Sequence, residues 1–132
     1  MSRILVVDDD GPIRRFVSEL LADEGHDVTI AVHGADALEM FTAGTDFDLI
    51  VLDVRMPVMD GAEFLEQLAR RALLPRVLVM TAARELAELS PLVHVSAYVG
   101  KPFDLEVFLA SVERVLAAPP GTRFDDSQPP AG

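Results

Sequence analysis

Short apolar runs that end in aspartate constrain the fold of this chain more than any other feature. Residues 4–7 are Ile-Leu-Val-Val and are followed by three aspartates, and residues 49–52 are Leu-Ile-Val-Leu and are followed by Asp53. Such runs are typical of strands that are buried on both faces, as in a parallel sheet. A sheet of this kind needs helices to cover both of its faces.

The segments between the apolar runs have helical periodicity. After the first run, apolar residues recur at the spacing i, i+3, i+4, i+7 and i+8, namely Ile13, Phe16, Val17, Leu20 and Leu21. Pro12 suits the first turn of this helix and Gly25 suits its end. Similar patterns predict helices around residues 37–41 and 64–69, about two turns in residues 83–89, and a last helix after a capping Asp104.

The remaining strands are predicted at residues 27–32, 76–80 and 97–100, so the order of elements is βαβαβαβαβα. Alternating strands and helices with right-handed crossovers favour an α/β fold with a five-stranded, doubly wound parallel sheet. Ligands of such sheets bind beyond the carboxyl ends of the strands.

The length and the C-terminal composition predict one domain and a tail. A chain of 132 residues corresponds to a single domain. Residues 119–132 hold 4 Pro and 2 Gly, a composition that does not support a packed element. We therefore expect a domain over residues 1–118 and a disordered tail or linker stub over residues 119–132.

Charge and composition argue against several classes of function. The chain has 22 acidic and 11 basic residues, a net charge of −11, so direct binding of nucleic acid or of an anionic membrane is not expected. Cysteine is absent, which removes thiolate nucleophiles and cysteine-ligated metal sites. No apolar run is long enough for a membrane span or a signal peptide, and we expect a cytoplasmic location.

Polar residues at the ends of the predicted strands indicate the candidate site. They are Asp8, Asp9 and Asp10 after the first strand, Asp53 after the third, Thr81 after the fourth and Lys101 after the fifth. In a parallel sheet these ends share one edge, so the side chains converge. Clustered carboxylates need compensation, and Mg²⁺ takes oxygen ligands from carboxylates, water and phosphate. A hydroxyl and an ammonium group beside the metal suit a bound phosphate.

These residues resemble the receiver domain of two-component response regulators, the CheY-like family. The matching motifs are ILVVDDD at residues 4–10, DLIVLDVRMPVMDG at 48–61, VMTA at 79–82 and YVGKPF at 98–103. The likeness covers roughly residues 3–117. It implies a flavodoxin-like (βα)5 fold with strand order 2-1-3-4-5.

The resemblance also implies the acidic and metal-binding roles. Asp53 is expected to be the phosphoacceptor. Asp9 and Asp53, together with the backbone carbonyl of Arg55, are expected to hold Mg²⁺, and Asp8 is expected to act on the metal through water.

Further roles implied by the resemblance concern phosphoryl binding and switching. Thr81 is expected to donate its hydroxyl to the phosphoryl group, the backbone N–H of Ala82 to assist, and Lys101 to pair with the phosphoryl oxygens. Tyr98 and Thr81 are the expected switch residues, with the Tyr98 ring turning inward on activation.

The implied partners are a sensor histidine kinase or a phosphotransfer protein, and an effector that the sequence does not identify. We expect no enzyme activity beyond autophosphorylation and autodephosphorylation. Homodimer formation stays an open alternative. Ser90-Pro91 interrupts the region that normally carries partner or dimer contacts in this family, so the sequence does not show the usual output surface.

Two other interpretations compete with the receiver. Residues 6–12 also resemble the first motif of haloacid-dehalogenase-type phosphatases, in which Asp8 is the nucleophile and Asp10 the general acid or base. That interpretation leaves Asp53 without a role. The other alternative is an interaction module that has a receiver-like scaffold and is not phosphorylated.

Overall fold

Strands and helices alternate along the chain in a computed structural model that describes residues 2–42, 46–53, 61–70, 76–81, 97–100 and 104–119. The strands within these ranges are β1 (Arg3–Val7), β2 (Asp27–Ala31), β3 (Leu49–Asp53), β4 (Val77–Thr81) and β5 (Ala97–Gly100). The helices are α1 (Gly11–Asp23), α2 (Gly34–Thr42), α3 (Gly61–Arg70) and α4 (Leu105–Ala117). None of these helices has the length and apolar content needed to cross a bilayer.

The strands form one parallel sheet in the order β2-β1-β3-β4-β5. Val7 of β1 is in register with Leu52 of β3, and Asp53 of β3 is in register with Met80 of β4. The carboxyl ends of the strands therefore share one edge, as the sequence predicts. The structure confirms the predicted α/β class with a parallel sheet. The predicted short helix at residues 83–89 and the Ser90-Pro91 interruption lie outside the described residues.

Both faces of the sheet carry a hydrophobic core. On one face, β1 and β3 pack with Phe64 and Leu68 of α3 and with residues of α2. On the other face they pack with Val17 of α1 and with Phe108 and Val112 of α4. Successive side chains of a strand point to opposite faces, so the central strands must be apolar at every position. This requirement explains why residues 4–7 and 49–52 are continuous apolar runs.

Local sequence signals define the ends of the helices. The side chain of Asp10 caps α1 by accepting a hydrogen bond from the N–H of Ile13, and Pro12 lies in the first turn. Gly25 has φ +93° just after α1, a conformation that favours glycine. Asp104 caps α4 by accepting from the N–H of Glu106. Pro12, Gly25 and Asp104 behave as the sequence predicts.

Two details of the sequence prediction need correction. Phe16 belongs to the predicted apolar stripe of α1, but it is 48% exposed, whereas Val17 and Leu21 are buried. The apolar face of α1 is therefore wider than the part of its surface that packs against the sheet. Strand β2 ends at Ala31 rather than residue 32, and β4 runs from Val77 to Thr81 rather than from 76 to 80, shifts that are normal for element boundaries.

Arg76, which precedes β4, ties the end of α4 to the sheet. Its Nε and Nη2 atoms donate to the carbonyl oxygen of Ala118 at 3.1 and 2.9 Å, and Nη1 donates to the carbonyl oxygen of Asp48 at 3.4 Å. Helix C-termini have carbonyl groups without partners inside the helix, and a guanidinium can satisfy them. Arg76 therefore caps α4 from a different element.

We expect Arg76→Met to lower the free energy of unfolding by about 1.5–3 kcal/mol, because hydrogen bonds from a charged donor are lost. Arg70→Met is the matched control, since Arg70 pairs with Glu66 of the same helix at the exposed surface and such pairs contribute about 0.5 kcal/mol. Urea unfolding of both variants measures the difference. Equal losses of unfolding free energy in the two variants would show that capping by Arg76 does not stabilise the fold.

Candidate functional site

Three aspartates meet at the carboxyl edge of the sheet. Asp8 and Asp9 directly follow β1, and Asp53 is the last residue of β3. Each of the three offers a carboxylate oxygen, and these oxygens lie within 4.8 Å of one another. The register of β1 with β3 produces this convergence, because Val7 and Leu52 are paired immediately before the acids.

The three carboxylates differ in burial. Asp8 is 0% exposed and Asp53 is 7% exposed, whereas Asp9 lies at the surface. Two buried acids beside a third repel one another when all are ionised, and a cation offsets that repulsion. The donor set consists of oxygens only, which suits a hard cation. The oxygens lie close enough together to be offered to one such ion, directly or through water.

The acidic loop, residues 8–10, is held by hydrogen bonds on several sides. The N–H of Asp8 donates to the carbonyl oxygen of Ala31 at 3.3 Å, which ties the loop to β2. The N–H of Asp10 donates to Oδ1 of Asp8 at 2.9 Å. The Asp10 side chain caps α1 through Ile13. Of the three successive aspartates, Asp10 therefore serves the helix, while Asp8 and Asp9 face the site.

Arg14 is a residue near the site that no sequence motif indicates. Its Nη1 atom donates to the backbone carbonyl of Asp8 at 2.8 Å. Arg14 lies in the second turn of α1, and helical side chains lean toward the helix N-terminus. Its spacing from the helix cap places this side chain near the preceding loop, but the atom that it reaches depends on how the elements pack.

The other predicted site residues are only partly described. Thr81 ends β4 and its backbone is in register with Gly100 of β5, so it is placed at the same sheet edge as the acids. The side chains of Thr81 and Tyr98 are outside the described part of the structure. Three further predicted residues lie outside the described ranges altogether, and they are Arg55, Ala82 and Lys101.

Comparison with known families identifies this arrangement. The family model of the response regulator receiver domain matches residues 4–113. The chain belongs to the response regulator receiver family. As a receiver domain, it is a phosphoacceptor module of two-component signalling and not a conventional enzyme. The comparisons give no support to the alternative of a phosphatase of the haloacid-dehalogenase type.

Relatives of this receiver include two curated bacterial regulators and a solved structure. It is 36% identical over 116 residues to the DNA-binding transcriptional regulator NtrC of Escherichia coli (strain K12), covering 86% of this chain and 24% of NtrC. It is 38% identical over 116 residues to the response regulator MprA of Mycobacterium avium (strain 104), covering 86% of this chain and 50% of MprA. The receiver thus spans a quarter to a half of the length of these two curated relatives.

The solved structure is that of the response regulator protein TrrA from Thermotoga maritima, in complex with Mg²⁺–BeF. It matches with a TM-score of 0.78 and 31% identity, and the match covers 87% of this chain and 99% of TrrA.

Proposed function

We propose that Asp53 accepts the phosphoryl group in this receiver domain. The observation that carries the proposal is the position of its nearly buried carboxylate, at the end of the central strand β3 and within 4.8 Å of the oxygens of Asp8 and Asp9. A carboxylate at the end of an apolar strand is costly to bury, and a reactive role accounts for that cost.

The proposed chemistry is a nucleophilic transfer to a carboxylate. A carboxylate oxygen of Asp53 forms a bond to phosphorus while the bond from phosphorus to the donor breaks. The donor is a phosphohistidine or a small acyl phosphate, and its departing nitrogen or oxygen keeps the electron pair of the broken bond. The product is an acyl phosphate on Asp53, and water later hydrolyses it by attack at phosphorus, which restores the carboxylate.

We propose Mg²⁺ as the cofactor, held by Asp9, Asp53 and the backbone carbonyl of Arg55, with Asp8 acting through water. When bound, the ion supplies positive charge that offsets the charge on the phosphoryl oxygens. Asp9 is the exposed member of the cluster, so it is accessible to an incoming hydrated ion, whereas Asp8 anchors the acidic loop from inside.

The remaining roles rest on the resemblance of the motifs. Lys101 pairs with phosphoryl oxygens, and the Thr81 hydroxyl and the Ala82 N–H donate to them. Thr81 and Tyr98 then switch a partner-binding face, because added charge and acceptor oxygens at Asp53 favour one of two arrangements of the nearby loop. The position of Thr81 at the end of β4, next to Gly100, supports its part in this proposal.

We propose that the receiver domain occupies residues 1–118 and adopts the complete (βα)5 arrangement with strand order 2-1-3-4-5. The family match over residues 4–113 and the end of α4 at Ala117 support the domain boundary. Residues 119–132 are proposed to be a disordered tail or linker. The pairing of β4 with β5 supports the strand order.

The proposed phosphodonor partner is a sensor histidine kinase or a phosphotransfer protein in the cytoplasm. The effector is not identified, and a homodimer is an open alternative. The net charge of −11 argues against direct nucleic-acid binding by this stretch of chain. A separate DNA-binding effector region in a longer protein is compatible with a receiver that does not itself bind nucleic acid, since the relative NtrC is a DNA-binding regulator.

Incubation with acetyl phosphate and Mg²⁺ tests the proposal. We expect intact-mass measurement to detect the addition of one phosphoryl group, dependent on Mg²⁺, and peptide mapping to locate it on Asp53. Labelling of Asp8 supports the phosphatase interpretation instead. If no label forms at millimolar Mg²⁺ and no metal binds, the chain is an interaction module that is not phosphorylated.

A further inference from the structure

The contact between Arg14 and the acidic loop has a consequence for the metal site. We propose that Arg14 is a positioning residue that fixes the Asp8–Asp9 peptide and so preorganises the two carboxylates for Mg²⁺. This inference rests on the proposed use of Mg²⁺ by the receiver and adds a residue that acts through the loop rather than on the metal.

The geometry of the peptide group supports the proposal. The carbonyl that accepts from Arg14 Nη1 at 2.8 Å belongs to the peptide bond that joins Asp8 to Asp9. Because that group is planar, holding its oxygen also holds the Cα atoms of both aspartates. Arg14 thus restrains the one covalent link between the buried carboxylate and the exposed carboxylate of the cluster.

Other contacts hold groups on either side of this link. The N–H of Asp8 is held by Ala31, and Oδ1 of Asp8 accepts from the N–H of Asp10. The Arg14 side chain is half-buried, so its guanidinium is less screened than an exposed one. Hydrogen bonds from a charged donor are among the stronger ones in proteins, which makes Arg14 an effective restraint on the carbonyl.

A purely electrostatic role and a positioning role predict opposite changes in Mg²⁺ affinity when Arg14 is replaced. Loss of a positive charge near a cation site by itself tightens Mg²⁺ binding. Loss of a restraint on the ligands weakens it, and removal of residues that support metal ligands typically lowers metal affinity about tenfold or more. The sign of the change therefore separates positioning from a simple charge effect.

The test compares Arg14→Met with Arg15→Met in the full chain, by NMR titration with Mg²⁺ as the probe. Arg15 is the matched control, because it is the next residue of α1, carries the same charge and is exposed. We expect Arg14→Met to weaken Mg²⁺ binding about tenfold and Arg15→Met to change it less than about twofold. Binding by Arg14→Met that equals or exceeds that of the wild type would overturn the proposal.

Hydrogen exchange without metal provides a second readout. We expect the Asp10 amide, which bonds to Asp8, to exchange faster in Arg14→Met than in Arg15→Met, and unchanged exchange overturns the proposal. If Arg14→Met does not fold, Arg14→Gln replaces it with the same expectations. A wild-type chain that binds no Mg²⁺ refutes the proposed cofactor and with it the preorganisation for metal. The exchange comparison then still shows whether Arg14 holds the loop.

Discussion

Asp53→Asn is expected to abolish phosphorylation of the receiver by acetyl phosphate. The amide is similar in size to the carboxylate but has no anionic oxygen to attack phosphorus. Intact-mass measurement after incubation with Mg²⁺ should detect only the unmodified variant. Asp53 is buried among core residues, and the near-isosteric change leaves that packing in place, so the loss reports chemistry rather than unfolding.

Asp46→Asn is the control for this variant. Asp46 is exposed and precedes β3, so the change removes the same charge without touching the acidic cluster. We expect full phosphorylation of Asp46→Asn.

We also expect Asp53→Asn to melt at a higher temperature than the wild type without metal, because one of three repelling carboxylates is gone. Labelled Asp8 in Asp53→Asn contradicts the assignment of the phosphoacceptor.

Phe64→Ala is expected to lower the free energy of unfolding by about 3–5 kcal/mol. The ring is fully buried between α3 and the sheet, in the core that includes Leu5, Ile50 and Leu52. Its centroid lies 6.4 Å from that of Phe41, so truncation also removes a contact between aromatic rings. A loss of this size is a large share of the free energy of unfolding of a typical domain, which is about 5–15 kcal/mol.

Phe16→Ala is the matched control, since it deletes the same side chain from a position that is 48% exposed. We expect it to lower the free energy of unfolding by less than about 1 kcal/mol. Urea unfolding with a common slope measures both changes. Comparable losses from the two positions would contradict the placement of Phe16 outside the core.

The part of the site that could be predicted consists of residues at strand ends. Asp8, Asp9 and Asp53 follow apolar runs, and parallel pairing brings such ends to one edge whatever the loops do. The caps Asp10 and Asp104 were also predictable, because a cap depends on neighbours within three residues. These inferences need only local periodicity and the rule that strands in such a sheet are parallel.

The contacts of arginine side chains could not be read from the sequence. Arg76 caps a helix 42 residues further along the chain, and Arg14 reaches back to the carbonyl of Asp8. A long flexible side chain has many rotamers, and the partner it reaches depends on how the elements pack. The exposure of Phe16 has the same origin, since periodicity shows which face of α1 is apolar but not how wide the contact with the sheet is.

For this protein, the sequence by itself determined the α/β class, the helix ends and the identity of the acids that follow the strands, because each depends on short-range patterns. Only the tertiary structure decided that Asp8 and Asp53 are buried while Asp9 is exposed, and that Arg14 holds the peptide between two of these acids. Burial and cross-element hydrogen bonds depend on the register of β1 with β3 and on the packing of α1 against the sheet, which are properties of the assembled fold.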